Sequence, residues 1–181
     1  MERNHHPTQT LTDPHGETVE IDQDLAPLIE LLWRVGFETI SCCQDVGEVL
    51  EALVPWMPHT AAEAARLRGY AQVDFEIEIG IAFITALARS GPRDDFYVRM
   101  VHYLAPNAWA VSGRPDDMAD DDKGEASDFD LWRLHVAFPW SDLGEIMRRL
   151  EAYEKGETVP PTPIDWSSIE VPDEALQPPN A

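Results

Sequence analysis

The chain has 181 residues, enough for one well-filled core and too few for two of ordinary size, so a single domain with tails is the expectation. Its 13 Lys and Arg stand against 34 Asp and Glu, a formal charge of -21, which argues against direct binding of nucleic acid. No run approaches the ~20 apolar residues of a membrane span, so no membrane-spanning helix is expected.

Residues 1–16 read as an N-terminal tail: His5, His6 and His15 with two prolines, no periodicity and no apolar run of the signal-peptide kind. The chain is therefore expected in the cytoplasm. Its adjacent cysteines, Cys42 and Cys43, fit that reducing compartment, because neighbours in an extended chain point to opposite faces and a mutual disulfide would be strained. A single domain is expected over 17–156. Thr18 to Asp22 opens it as a strand, and Asp24 is placed to cap a helix with Leu25, Leu28, Ile29, Leu32 and Val35 on one face and Pro27 in its first turn. Gly36 ends that helix, and Phe37 to Cys43 follows as a second strand.

Glu48 to Val54 reads as a helical turn or two before Pro55, and Thr60 with Glu63 as a capping box opening a helix that closes at Gly69. Both look inserted. Tyr70 to Ile77 alternates as a strand, and Ile81, Ile84, Leu87 and Ala88 mark a helix up to Gly91. Phe96 to Leu104 and Ala108 to Ser112 are expected to pair as a hairpin. Residues 114–130 form an acidic loop whose carboxylates repel one another. Leu131 to Phe138 is the clearest strand, and Ser141 caps a last helix carrying Leu143, Ile146, Met147, Leu150 and Tyr153. Residues 157–181 are a Pro-rich C-terminal tail, on which Ile164 and Trp166 can still dock. The order predicts an α+β fold: a ferredoxin-like split β-α-β core, its sheet antiparallel or mixed with helices on one face, plus an inserted helical segment and a hairpin.

The strand end Ser41-Cys42-Cys43-Gln44-Asp45, leading to Gly47 and Glu48, is the first candidate ligand site, because small polar groups at a strand terminus are placed to meet a ligand. Cys43 there is a nucleophile only if a neighbour lowers its pKa; the plainer reading is that cysteine packs as a small hydrophobe. His135, and His102 likewise, sits opposite in period to its apolar neighbours and can meet a carboxylate across a sheet, or simply face solvent. Asp74, Glu76 and Glu78 share one face of a strand, as a cation site, as a general acid/base pair or simply as its wet side. No HExxH, CxxC pair or EF-hand spacing is present, nor any phosphate-cradling or nucleotide-binding glycine motif, so neither a metal nor a cofactor is predicted.

Val19 to Asp22, Leu25 to Ile29, Leu32-Trp33, Gly36 to Thr39 and Ser41 to Gln44, with Phe138-Pro139 and Ser141 to Leu143 later, resemble a group of small uncharacterised proteins from actinobacteria and their phages. The resemblance covers about a third of the chain. The group's pattern has one cysteine before the glutamine, so Cys43 is the matching thiol and Cys42 a departure; it implies a compact α+β fold and no activity. The functional expectation is a non-catalytic acidic binding or accessory module for neutral or basic partners, with a homodimer through a sheet edge or exposed Trp faces as a possibility. One alternative is a small-molecule enzyme with a pocket at Cys43, Gln44 and Asp45; another is a DNA-mimicking protein that offers its acidic loop to a basic partner.

Overall fold

The computed structural model describes residues 6–91, 93–103, 105, 107–115 and 132–163. The acidic loop from residue 116 onward lies outside the described residues, as do Ile164 and Trp166.

Among the described residues two antiparallel sheets and six α-helices make the α+β class. The first sheet corrects the expected N-terminal tail. Thr8–Thr12 is a strand, β1, paired antiparallel with β2, Thr18–Asp22. Threonines suit a strand, and here Thr8 and Thr10 donate their hydroxyls to the Glu20 carboxylate across the pair (2.8 and 2.5 Å), holding Glu20 below the usual carboxylate range. The turn between them is closed by the Asp13 carboxylate, which accepts from the amides of His15 and Glu17, and by Gly16 at φ 88°. Leu11 carries the hairpin into the core.

Helix α1, Ala26–Arg34, buries Leu28, Ile29, Leu31 and Leu32, and ends where Gly36 turns to φ 88°. Asp24 does not cap it; the N-cap is Leu25, without a side-chain bond, while Pro27 stands in the first turn as expected. The second predicted strand shrinks to β3, Ser41–Cys43, because Phe37 turns into the core instead of alternating. Helix α2, Val46–Leu53, starts two residues earlier than its periodicity showed, and α3, Ala61–Arg66, forms without the expected capping box: Thr60 donates its hydroxyl to the Met57 carbonyl (2.8 Å).

Strand β4, Tyr70–Glu76, passes straight into helix α4, Ile77–Leu87, so Glu78 and Ile79 are helical and the carboxylate row stops at Glu76. The expected hairpin over 96–112 is replaced. Asp95–Val101 is helix α5, with Phe96 and Met100 buried one turn apart and His102 at its C-cap, and β5, Ala110–Pro115, pairs with β6, Trp132–Pro139. Helix α6, Leu143–Glu154, closes the domain after a 3-10 turn at Trp140–Asp142.

The main sheet has the order β3-β4-β6-β5 and is antiparallel throughout. Ala71, Val73 and Phe75 of β4 with Leu134, Val136 and Phe138 of β6 form one face, packed against Phe83, Ile146 and Leu150 of α4 and α6 and the leucines of α1. Phe75 and Phe83 stack at 4.9 Å. Gly80 makes that contact possible, since a Cβ there would lie 2.7 Å from Leu134 Cδ2. The expectation of helices on one face only is corrected by a second cluster, Val46 and Leu67 against Tyr70 and Ala137, which lays the α2–α3 pair over one end of the opposite face.

The last described segment is tied down, although its prolines predict an unanchored tail. The Thr162 amide donates to Asp94 Oδ1 (2.8 Å) and the Asp95 amide to the Thr162 carbonyl (2.9 Å). Asp94, fully buried, forms an ion pair with Arg149 at 2.6 Å, and Arg149 also donates to the Leu87 carbonyl (2.9 Å) and lies over the Phe96 ring at 4.2 Å.

Candidate functional site

The β3–α2 junction holds four of the five candidate residues and shows what occupies them. Asp45 is the N-cap of α2: its Oδ1 accepts from the Glu48 amide and its Oδ2 from the Gly69 amide, both at 3.1 Å. The Gln44 amide donates to Asp22 Oδ2 (2.8 Å) and its Nε2 to Asp24 Oδ2 (3.1 Å), fastening the hairpin of β1 and β2 to the junction. Glu48 meets His6 Nε2 at 3.5 Å. These polar groups are therefore joints within the fold. The two thiols are free and, as alternation requires, Cys42 joins the main core while Cys43 joins the second cluster. Burial, reinforced by Asp22, pushes the Cys42 thiol up to about 12, and burial pushes Cys43 up as well.

The fifth candidate, His135, belongs to a polar row that runs across all four strands. Register sets Ser41 opposite Asp74, Asp74 opposite His135, and His135 opposite Ser112, all on the face that α2 and α3 cover only at one end. The Ser41 hydroxyl donates to Asp74 Oδ2 (2.5 Å), Gln72 Nε2 to Asp74 Oδ1 (2.7 Å), and His135 Nδ1 lies 2.8 Å from the same Oδ1. Asp74 is only 6% exposed, so it is not the wet side of a strand; its charge is accommodated by these partners. They fix the imidazole through Nδ1, which leaves Nε2 directed away from Asp74. The next row holds Glu76, Arg133 and Arg114 on β4, β6 and β5. Cys43 lies opposite Gln72, one step from His135, so those two predicted residues share a face while Gln44, Asp45 and Glu48 serve the junction.

Periodicity also missed the outer side of α2. Val46 and Leu50 turn inward, yet Val49, Leu53, Trp56 and Met57 are exposed by 53, 37, 82 and 38%, and the Trp56 and Met57 amides bond back to the Leu53 carbonyl, continuing the helical ridge beyond the helix end. The signal in the sequence is two interleaved pairs four apart, Val46 with Leu50 and Val49 with Leu53: more apolar residues than one face can bury. Glu48 and Glu51 lie on the same helix, Glu51 paired with Arg68.

Remote from both, an open cleft of about 450 Å3 is lined by Arg34, Val35, Arg89, Tyr153, Glu154 and Gly156, with no predicted site residue in it. Arg34 pairs with Glu154 there (2.8 Å) and Arg89 lies over the Tyr153 ring. Among the described residues no group of His, Cys, Asp and Glu is arranged to hold a metal ion, and no helix is long and apolar enough to cross a membrane.

Among the described residues, fold and surface together define an α+β protein with two antiparallel sheets, a polar sheet face that α2 and α3 cover at one end and an apolar ridge on α2. No protein-family model, curated protein or solved structure matches the chain.

Proposed function

We propose that the chain is a non-catalytic binding or accessory module that holds an apolar, basic segment of a partner protein against the outer side of α2. One observation carries the reading: Trp56, the largest side chain of the ridge, is 82% exposed beside Val49, Leu53 and Met57. Large apolar side chains gathered on one exposed side mark interaction sites, and tryptophan anchors interfaces more often than most residues. The partner's charge follows from the formal -21 of the chain. The raised thiols and the structural duties of Gln44 and Asp45 withdraw support from a cysteine enzyme at this end of β3. Free thiols at 42 and 43 support a reducing, cytoplasmic setting. The split β-α-β part of the ferredoxin-like reading draws support from β4 and β5, which run parallel with antiparallel β6 between them.

The test is a titration with a fluorescently labelled cationic amphipathic peptide of leucine and lysine, followed by the anisotropy of the label. Binding in 0.05 M salt, weakened at 0.5 M and reduced at least tenfold in the double variant Leu53→Ser, Trp56→Ser, is the expected result. Undiminished affinity in that variant would remove the ridge as the site.

A further inference from the structure

Among the described residues strand β5 is an edge of the main sheet with nothing paired on its outer side, and we infer that it takes up an extended peptide strand from a partner, one whose residues alternate between apolar and polar and which places a carboxylate beside Arg114. The two edges of the sheet differ. At β3 the neighbouring hairpin closes in, with Asp22 taking the Gln44 amide, whereas at β5 Val111, Ser112, Gly113 and Arg114 are all exposed and, among the described residues, β6 is the one strand paired with it. An edge strand of this kind presents unpaired backbone donors and acceptors, the template that strand addition uses.

The side chains set what the added strand must look like. On the core face Val111 is 42% exposed and Trp132 37%, and the Trp132 ring lies over Gly113, where a Cβ would be 3.4 Å from its Cε3. That shallow apolar lane at a glycine suits small branched side chains on one face of the incoming strand. On the opposite face Arg114 stands directly across from Arg133, and Arg133 across from Glu76. Like charges directly opposite each other are unfavourable in a sheet. A carboxylate on the added strand next to Arg114 completes a row of negative, positive, positive, negative across four strands. Its attraction is local, within the ~8 Å over which charge acts at physiological salt, so it operates despite the acidity of the rest of the chain.

A second copy of this chain fits the edge less well. Ala110–Pro115 contains no carboxylate, so pairing of these six residues with the same six of another copy brings none to Arg114. The surface is separate from the α2 ridge and does not depend on it.

The test uses two soluble heptapeptides of alternating valine and threonine, one with a central glutamate and one with a central lysine, each fluorescently labelled. Anisotropy titrations of the full chain should favour the glutamate peptide by up to about fivefold, the range of a cross-strand ion pair, and bound peptide should slow amide exchange at Val111 to Arg114. Arg114→Gln should erase the preference and Arg114→Glu reverse it, while the Leu53→Ser, Trp56→Ser variant should leave it unchanged. Equal binding of both peptides, no binding of either at millimolar concentration, a preference that survives Arg114→Glu, or exchange protection confined to β3 overturns the proposal. So does a dimer in sedimentation whose β5 amides are protected without peptide, which assigns the edge to a second copy.

Discussion

Cys42 and Cys43 are neighbours in the chain with different surroundings, the first among core leucines and the second under α2, and both thiols are pushed up by burial. The thiolate is the reactive form, so at neutral pH roughly one Cys42 in 10⁵ is available if its value is about 12. Iodoacetamide at pH 7.5 should therefore modify both residues more slowly than it modifies a cysteine in a short peptide, and unfolding in urea should restore the peptide rate; mass spectrometry of the digested protein reads both. A native rate equal to the peptide's would contradict the buried assignment. Asp94 is the opposite case. Burial alone would raise its carboxyl, but the Ser90 hydroxyl, the Thr162 amide and the Arg149 guanidinium hold it below the ordinary value. Its folded value thus lies below its unfolded one, so the stability it contributes is present above the ordinary carboxylate range and is lost as pH falls through the folded value. Asp94→Asn should cost about 3 to 5 kcal/mol at pH 7, the magnitude for breaking a buried pair. The difference between variant and wild type should narrow on going to pH 3, as urea unfolding at the two pH values will show.

At the scale of the elements, α2 depends on particular side chains. Asp45→Ala removes the acceptor of two amides, those of Glu48 and Gly69, and should lower stability by about 1 to 2 kcal/mol in urea unfolding. Gly47→Ala should be at least as damaging, because a Cβ there would lie 2.5 Å from the Arg68 backbone and 2.8 Å from the Ala64 carbonyl oxygen, and relieving that overlap means pushing α3 and the turn after it away from α2; overpacking of this kind costs about 1 to 3 kcal/mol. A Gly47→Ala protein as stable as the wild type would show that α2 and α3 are not held as close as Gly47 allows. Elements whose residues follow one period over a long stretch were legible in the sequence: β4, β6, α1 and α6 stand within a few residues of where alternation or three-four spacing put them. Helix α5 was not, because Phe96, Val98 and Met100 fit a period of two as well as the four-residue step that buries Phe96 and Met100. Strand β1 was missed because only Leu11 of its five residues is buried, the rest being held by pairing to β2. The polar row was beyond reach for a related reason. Ser41, Asp74, His135 and Ser112 become neighbours only through the registers of three strand pairs, with contacts 33 and 61 residues apart in the chain.

At the scale of the whole molecule, the excess of 34 carboxylates over 13 cations acts in two directions at once. Folding gathers these charges into a smaller volume, so self-repulsion opposes the compact state, and screening by salt relieves it. The surface ion pairs, such as Arg34 with Glu154 and Arg148 with Glu145, are weakened by the same screening, but exposed pairs contribute little beside the unbalanced charge. The thermal midpoint should accordingly rise as sodium chloride goes from 0.02 to 0.5 M. Attraction of a cationic peptide to the α2 ridge should fall over the same range, because there the long-range charge is favourable and screening removes it. The opposite signs are the informative part. Were peptide binding to strengthen with salt along with the fold, the contact would be governed by the apolar ridge of Val49, Leu53, Trp56 and Met57 alone, and the acidity of the chain would have no part in choosing its partner.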